Sequence, residues 1–515
     1  MKAVDRNSCA MSWGRGLLLW TVGGGFALCA APGLVLADNA SDIQALKDQV
    51  RLMQQKIDQL SAAQVPRTPQ TTGTVAAPAQ TNQGTAATDE RKRKETPALT
   101  YAGITLYGTV DIGIAYLSHG APLSSSWGPG LPYFVQNYSN HSITSVAGNA
   151  LSQSKVGLSG VEPLWGDFNG IFRLETGFNP WSGRLVDAPG SLVADNGRPA
   201  STKISSGDSS RAGQAFQGGA YAGVSSRTFG TLTFGRQNSL MLDAMAKYDP
   251  QQLSQAFAPI GLSGNAAGIG GTESARLDQS LKYVFGYGPG RFAVIHGFGS
   301  DGYVPQSSNE VDLGVDLGGF SMDALWGVVH GEVSATSLSA AQVLVEPVNS
   351  LSATVSDNTG YSLQASYNAK EYFPIKLYAG WERVKYNNPE HPLPAGSIGL
   401  GGYVLSVTTN TAYNIQRILQ YSWFGARYSI TPQFDLTAAY YQYNQKSNAA
   451  NGCTNASAGT CAGELHDASV VADYHLTTRF DTYAGINYSL VQDGLASGFL
   501  FKNDWTPMIG VRFNF

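Results

Sequence analysis

After its first 37 residues this sequence has no long apolar run, because no stretch reaches the ~18 consecutive apolar residues that a membrane-spanning helix needs. Charged residues are also few, at 14% of the 515 positions. The missing apolar run argues against a helical membrane protein. The low charged fraction argues against two or three ordinary soluble domains. Glycine is abundant instead, with 60 residues, and 11% of the chain is aromatic. The mean hydropathy of -0.12 fits strands that alternate apolar and polar residues.

The N-terminus has the pattern of a secretory signal peptide. Arg6 and Arg15 supply positive charge, and residues 17–36 form an apolar run that is rich in Gly and Ala. Val35 and Ala37 suit a cleavage site, so we predict a signal peptide over residues 1–37. A retained anchor helix is the alternative.

Cysteine is scarce, and its positions limit the chemistry that it can support. Cys9 and Cys29 leave with the predicted signal peptide, and Cys453 and Cys461 remain in a stretch of small residues. In an exported protein we predict that this pair forms one short disulfide loop. Two free thiols are the alternative, and we expect no metal site because no other cysteine is available.

A short apolar repeat follows the cleavage site. Its residues have spacings of 3, 4, 3, 4 and 3, which is a heptad seam: Ile43, Leu46, Val50, Met53, Ile57 and Leu60. We predict a coiled coil within residues 38–61, with an amphipathic helix packed on the next domain as the alternative. Residues 62–101 lack periodicity and are rich in Pro, Thr, Gln and Ala, which predicts a flexible linker. Its basic run at 91–94 is either a solvated linker end or a contact with anionic lipid or cell wall.

The last residues, 505–515, show a pattern that recurs back to about residue 102. Trp505, Ile509 and Phe513 share one parity with other apolar residues, and Thr506 and Arg512 share the other with mostly polar ones. That alternation predicts a strand with an apolar and a polar face. About sixteen such segments occur: 102–117, 151–161, 166–178, 214–226, 229–237, 277–287, 291–299, 309–317, 320–331, 358–369, 374–386, 416–429, 433–446, 466–476, 479–491 and 504–515.

The connections between these segments alternate between short and long. Turn-like connections such as 288–290 and 317–319 are followed by long ones, which are 118–150, 179–213, 238–276, 332–357, 387–415 and 447–465. A phenylalanine stands beside each short turn, in the set Phe168, Phe229, Phe292, Phe320, Phe373, Phe434, Phe480 and Phe515. Short turns at one end, long loops at the other and an aromatic girdle are typical of transmembrane β-barrels. A propeller or stacked sandwiches would not explain the long loops at every second connection.

Several motifs resemble the general porins of Gram-negative outer membranes, of the neisserial and betaproteobacterial type. They are residues 106–111 (LYGTVD), 154–160 (SKVGLSG), 172–178 (FRLETGF), 220–224 (AYAGV), 229–237 (FGTLTFGRQ) and the terminal Phe515. The resemblance covers residues 102–515 and implies a homotrimer of sixteen-stranded barrels among outer-membrane lipid and lipopolysaccharide. It also implies a water-filled channel with the third long loop, 238–276, folded into the lumen. The sequence departs from the family in its N-terminal coiled coil.

Parity nominates the charged residues that face the lumen, since Arg or Lys on the lipid face costs ~2–4 kcal/mol at mid-membrane. They are Asp111, Lys155, Arg173, Glu175, Lys282, Asp312, Asp316, Lys376, Arg427, Asp473 and Arg512. The loop 238–276 begins with a possible helical turn that contains Asp243, Lys247 and Asp249. We expect Asp243 and Asp249 to face Lys155, Arg173 and Arg512 across the narrowest point, with Glu175 and Asp111 also lining the pore.

The sequence gives no support for catalysis. Asp467, Ser469, Asp473 and His475 share one parity but would spread over ~27 Å along a strand, too far for a triad. Residues 102–515 hold 22 Lys and Arg (33 - 11) and 29 Asp and Glu (37 - 8), a net charge of -7 that mildly favours cations or neutral solutes. We expect no cofactor and no nucleic-acid partner.

The predicted architecture is therefore all-β, a transmembrane antiparallel barrel of about sixteen strands after a short coiled coil. The expected function is passive diffusion of small hydrophilic solutes and ions across the outer membrane. A channel selective for one solute class is the alternative within this fold. A structural or adhesive barrel without a major transport role is the alternative outside it.

Overall fold

The computed structural model describes Arg51, Gln55 and residues 99–120, 133–135, 140–199, 202–203, 214–259, 275–299, 307–370, 372–398, 402–449 and 459–515. The chain divides into two compact units, Met1–Ala76 and Ala77–Phe515. In the first unit only Arg51 and Gln55 are described, and both are helical. The signal peptide, the apolar seam of the coiled coil and the linker to residue 98 lie outside the described residues. No described helix is long and apolar enough to cross a membrane.

The second unit is built from strands. Within the described residues they are β1 Leu99–Tyr101, β2 Ile104–Leu117, β3 Ile143–Gly148, β4 Lys155–Pro163, β5 Phe168–Gly177, β6 Gly219–Ser226, β7 Gly230–Asn238, β8 Arg276–Tyr287, β9 Gly290–Phe298, β10 Ser307–Leu317, β11 Phe320–Thr336, β12 Ser350–Asn368, β13 Ile375–Asn387, β14 Ser397–Ile398, β15 Val404–Thr409, β16 Arg417–Thr431, β17 Phe434–Gln445, β18 Gly463–His475, β19 Phe480–Asp493 and β20 Asn503–Asn514. The helices are α1 Ala188–Ala194, α2 Leu240–Tyr248 and α3 Ala340–Val343.

Sixteen of these strands, β2, β4 to β13 and β16 to β20, form one closed antiparallel barrel. Neighbours along the ring pair in sequence order, with two skips: β2 pairs with β4 past the short β3, and β13 pairs with β16 because β14 and β15 belong to a loop. The last strand closes the ring on the first, with register from Thr109↔Asn514 to Ala115↔Met508. The predicted count of about sixteen strands is thereby confirmed.

The outer face of the barrel is apolar, whereas the inner face carries charged and polar side chains as well as apolar patches. On β20, Trp505, Ile509 and Phe513 are exposed, with Ile509 at 61%, whereas Thr506 and Arg512 are buried in the interior. Exposed apolar side chains on the outer face suit lipid as a solvent. The predicted parity of this strand is therefore confirmed.

Short turns join the strands at one end, which we call the turn end, and the other end is the loop end. Phenylalanines collect at the turn end, where Phe168 stacks on Phe229 with ring centroids 5.8 Å apart. Asp167 links two turns there, since its carboxylate accepts hydrogen bonds from the Ser226 hydroxyl at 2.7 Å and the Thr228 N–H at 3.0 Å. These bonds, the Ser226 hydroxyl first, lower the pKa of Asp167 to about 2.

The loop end contains more structure than the sequence predicted. The predicted loop 332–357 is mostly strand, because β11 runs on to Thr336 and β12 begins at Ser350. The other predicted loops 118–150 and 387–415 contain β3, β14 and β15, and 179–213 contains α1. These elements are stabilised by an apolar core at the loop end, which we call the cap core. It consists of Val333, Leu351, Ala353, Val355, Leu393 and Leu405, and Leu192 and Val193 of α1 pack against it.

Candidate functional site in the barrel lumen

The connection from β7 to β8, residues 239–275, folds into the barrel, and we call it the inner loop. It is described to residue 259 and again at Ala275. It begins with α2, whose first turn has two acceptors. The Ser239 hydroxyl accepts from Leu242 N–H at 3.1 Å, and Glu310 of β10 accepts from the N–H groups of Leu240 and Met241. An anionic side chain therefore holds the N-terminus of the helix against the inner wall.

The apolar side of α2 packs on the inner wall. Its buried residues belong to a cluster with inward-facing residues of several strands, among them Leu325, Val384, Trp423 and Tyr443. The members from the helix are Leu240, Met241, Ala244, Met245 and Tyr248, which follow helical spacing. The sequence predicted a helical turn here, and the apolar inner wall explains why nine residues stay helical inside a barrel.

Beyond α2 the inner loop follows the wall round to β18 and β19. The Trp423 indole donates to Tyr248 O at 3.0 Å, and Gln251 donates to the Ser469 hydroxyl at 2.9 Å. Asp249 is fully buried, where its carboxylate accepts from Tyr441 and from the backbone N–H of Gln251 and Leu253. The loop thus contacts the inner faces of β16 to β19.

Two hydrogen bonds connect residues 254–256 of the inner loop to the segment that follows β3. The Ser254 hydroxyl and the Ala256 N–H both donate to Ala150 O, at 2.7 and 3.0 Å. Asp111 of β2 holds that segment, because its carboxylate accepts from Leu151 N–H and Ser152 N–H at 2.8 Å. The inner loop therefore crosses the lumen and is bonded on several sides.

Acidic and basic side chains lie together on the side of α2 away from its apolar packing surface. Asp243 forms an ion pair with Lys282 of β8 and also interacts electrostatically with Arg173 of β5. Glu175 lies between Lys155, at 3.2 Å, and Arg173, at 2.5 Å. The structure thus brings the predicted residues Asp243, Lys155, Arg173 and Glu175 to one region of the lumen.

Lys247, at the end of α2, lies in a more open region nearer the turn end. Its ammonium is 3.6 Å from both Asp316 and Asp323, and its side chain is 37% exposed. Arg291 pairs with the same two carboxylates. This second group of charges was predicted only in part, as Lys247 and Asp316.

Arg512 belongs to a separate network at the turn end. It pairs with Asp473 at 3.1 Å and with Asp481 at 2.8 Å, and His475 bonds Asp481 and Asp435. Ligand atoms of Asp473, His475 and Asp481 lie within 4.8 Å of one another, as a metal site would need. Arg512 already donates to both carboxylates, however, so these residues form an ionic network rather than a free ligand set.

Three predicted placements are corrected. Asp249 does not face Lys155, Arg173 or Arg512, since it is buried against Tyr441. Arg512 lies with Asp473 and Asp481, away from Asp243. Asp111 points inward but is fully buried and supports the wall. Asp111 and Asp249 are buried because backbone N–H groups of the folded-in segments donate to their carboxylates. Arg512 is placed by Asp473 and Asp481 on neighbouring strands. Strand parity reveals neither kind of partner.

Other predictions have mixed outcomes. Arg236 shares parity with the apolar Phe234, and the strand accommodates it by a register shift between Gly235 and Gln237. Cys461 is disulfide-bonded, whereas Cys453 lies outside the described residues.

Sequence reasoning missed Glu310, although it shares parity with Asp312 on β10. That shared parity was the available signal.

Comparisons with known proteins agree with this architecture. A family model described as Gram-negative porin matches residues 71–494, more than half of the chain. An outer membrane porin protein of Bordetella pertussis is 25% identical over 180 residues, which are 35% of this chain and 38% of that relative. The match thus spans well under half of the relative's length.

Two solved structures are similar in fold. An anion-selective porin from Comamonas acidovorans has a TM-score of 0.50 at 16% identity, with 80% of this chain and 99% of that chain covered. Outer-membrane expressed OmpT of Vibrio cholerae has a TM-score of 0.50 at 12% identity, with 81% and 100% covered. At such identities these likenesses show the fold alone.

Proposed function

This chain belongs to the Gram-negative porin family and lies in the outer membrane, and we propose that it forms a channel for passive diffusion of small hydrophilic solutes and ions. What supports this function most is the closed barrel with its apolar outer face and charged interior. A barrel of this width can hold an aqueous path, and charges at its narrowest point set selectivity.

The inner loop is the proposed constriction. It brings Asp243 into direct contact with Lys282 and close to Arg173, so charges of both signs border the remaining lumen on this side. Such an arrangement creates a transverse field that polar solutes tolerate and apolar ones do not, because apolar solutes cannot replace the ordered water. We propose Lys155, Glu175 and Lys247 as further pore-lining charges.

Two other functions are distinguishable from general diffusion. A channel of this fold that is selective for one solute class would show competition between that solute and ion current. A structural or adhesive barrel would carry no current. Planar-bilayer recording of the purified protein separates these cases, and the absence of channel events in a correctly folded sample would contradict the proposed function.

A catalytic role is not part of the proposal. The Ser469 hydroxyl donates to Phe257 O at 2.7 Å, and His475 bonds Asp435 and Asp481. Ser469 and His475 therefore have separate partners within the described part of the lumen. Among the described residues, Ser469 is therefore not bonded to His475 as a nucleophile would be to its base.

We propose a homotrimer whose N-terminal segment, 38–61, forms an interchain coiled coil on the inner side of the outer membrane. Replacing Val50 and Met53 with Asp would bury unpaired charge in that seam and weaken it. We predict that the double variant keeps its barrel trimer on native gels but loses contacts between N-terminal segments in crosslinking. The double variant Arg51→Asp and Gln55→Asp changes two exposed helical residues outside the predicted seam and is the matched control. Monomers in the seam variant alone would contradict this division of roles.

A further inference from the structure

A second segment enters the lumen, and it comes from the connection between β2 and β3. Tyr133, Phe134 and Val135 are at most 1% exposed, although they belong to a connection at the loop end. Three large side chains that are buried this completely in a loop require a packed environment on all sides. The barrel interior supplies it.

Backbone hydrogen bonds fix this tripeptide to inward-facing residues of β19 and β20. Val135 N–H donates to the Ser489 hydroxyl at 2.8 Å, and the Thr506 hydroxyl donates to Tyr133 O at 2.9 Å. The Tyr133 hydroxyl donates to Gly148 O at the end of β3. Main-chain and side-chain groups are thus bonded, so the segment occupies one defined position.

The tripeptide also joins the inner loop to the wall. Tyr133 and Phe134 cluster with Ala256 and Phe257 of the inner loop, and with Val471, Tyr483 and Met508 of β18 to β20. Val135 belongs to the other large cluster, which contains α2 and the aromatic residues of β16 and β17. One short segment therefore connects the two apolar clusters inside the barrel.

A continuous apolar cluster has consequences for permeation. Hydrophilic solutes and hydrated ions cannot cross a dry apolar contact without losing their water, which is costly. The lumen beside β18 to β20 is therefore closed to them at this level. Charged side chains lie on the other side, where Arg173, Glu175 and Lys282 face Asp243.

We infer that Tyr133–Val135 is a second, fixed constriction element that confines the solute path to the side of the lumen lined by Arg173, Glu175 and Lys282. The inference rests on the proposed channel function. It assigns a selectivity role to these three residues in addition to the inner loop. The channel then has two inserts, and removing either one widens it.

The test is a triple variant in the full chain, Tyr133→Ser, Phe134→Ser and Val135→Ser. Loss of the apolar contacts opens a hydrated path beside β19 and β20, so single-channel conductance in KCl rises, on the order of twofold. The matched control replaces three exposed apolar residues at the loop end, Leu344, Val345 and Val348, with Ser. The control conducts like the parent.

A disulfide between Val135→Cys and Ser489→Cys tests whether the segment is fixed. Ser489 already accepts from the Val135 N–H, so the crosslinked protein conducts equally before and after reduction. A change in conductance on reduction of the crosslinked protein, or a triple variant that conducts like the parent, would each overturn the inference. The parent protein is measured in the same experiment, and the absence of channel current from the parent would instead overturn the proposed function.

Discussion

Two glycines of the inner wall show how single residues position the inner loop. A Cβ atom at Gly425 would lie 2.6 Å from Pro250, and one at Gly485 would lie 2.6 Å from the Phe257 ring. Both distances are too short for real contacts. Gly485 therefore leaves room for the folded-in loop, and Gly425 leaves room for both the loop and the Ala438 carbonyl of β17, 2.5 Å away.

Gly485→Ala is predicted to displace Phe257 towards the open side of the lumen and so to lower single-channel conductance. Overpacking of this kind costs about 1–3 kcal/mol, which the loop rather than the barrel would absorb. Bilayer recording and thermal melting measure the two effects, and melting is expected to stay unchanged. Gly286→Ala is the control, since its nearest neighbour would be 3.8 Å away. Equal conductance for both variants would contradict the contact.

Which residues point inward was predictable, and which residues pair was not. Parity identified Lys155, Arg173 and Glu175 because a strand alternates its faces with a period of two. The partner of each charge depends on register and closure across the ring. Tyr483 bonds Asp111 across 372 positions, for example, and no local pattern encodes that contact.

The strands themselves were predicted well, because each carries its own alternation and lies beside a turn. Elements at the loop end were not. The extension of β11 and β12 pairs Glu332↔Ser356 through Thr336↔Ser352, and β15 runs parallel to β12 from Ser350↔Val404. These segments are short, and their stability comes from the cap core, which brings together three separate loops. Single-sequence patterns do not show such contacts.

The cap core is predicted to hold α1 across the loop end. Asn196 accepts from Leu338 N–H at 2.7 Å and donates to Ser350 O at 2.7 Å, and Tyr403 donates to Asp187. Asn196→Ala removes both of the first bonds and leaves buried partners unpaired, at a local cost of about 1–3 kcal/mol. Faster proteolysis within 179–213 at an unchanged barrel melting temperature is the expected outcome.

The control for the cap is Ser397→Ala, which removes only a bond to Pro394 O on an exposed part of a neighbouring loop. It should be cleaved at the parent's rate. Protection of α1 that survives Asn196→Ala would mean that the apolar contacts alone hold the helix. The hydrogen bonds of Asn196 would then be dispensable.

For the whole molecule, net charge is a poor guide to selectivity. The barrel region carries -7, yet several of its interior acids are paired with bases, as Glu175 is with Lys155 and Arg173, and Asp481 is with Arg512. Selectivity then depends on the few charges that stand beside the remaining path. The fold followed from repeated local patterns, whereas the site depends on how two connections fold into the lumen.

The most direct test of the central claim, that the inner loop is the constriction, is the reversal potential of Asp243→Asn in a KCl gradient. Removing this carboxylate leaves Lys282 without its ion-pair partner and makes this side of the lumen more positive, so the reversal potential shifts towards anions. Asp493→Asn, an exposed acid at the loop end with a positive φ of 52° that Asn tolerates, is the control and should not shift. A reversal potential for Asp243→Asn equal to that of the parent and the control would place the selectivity elsewhere and contradict the account.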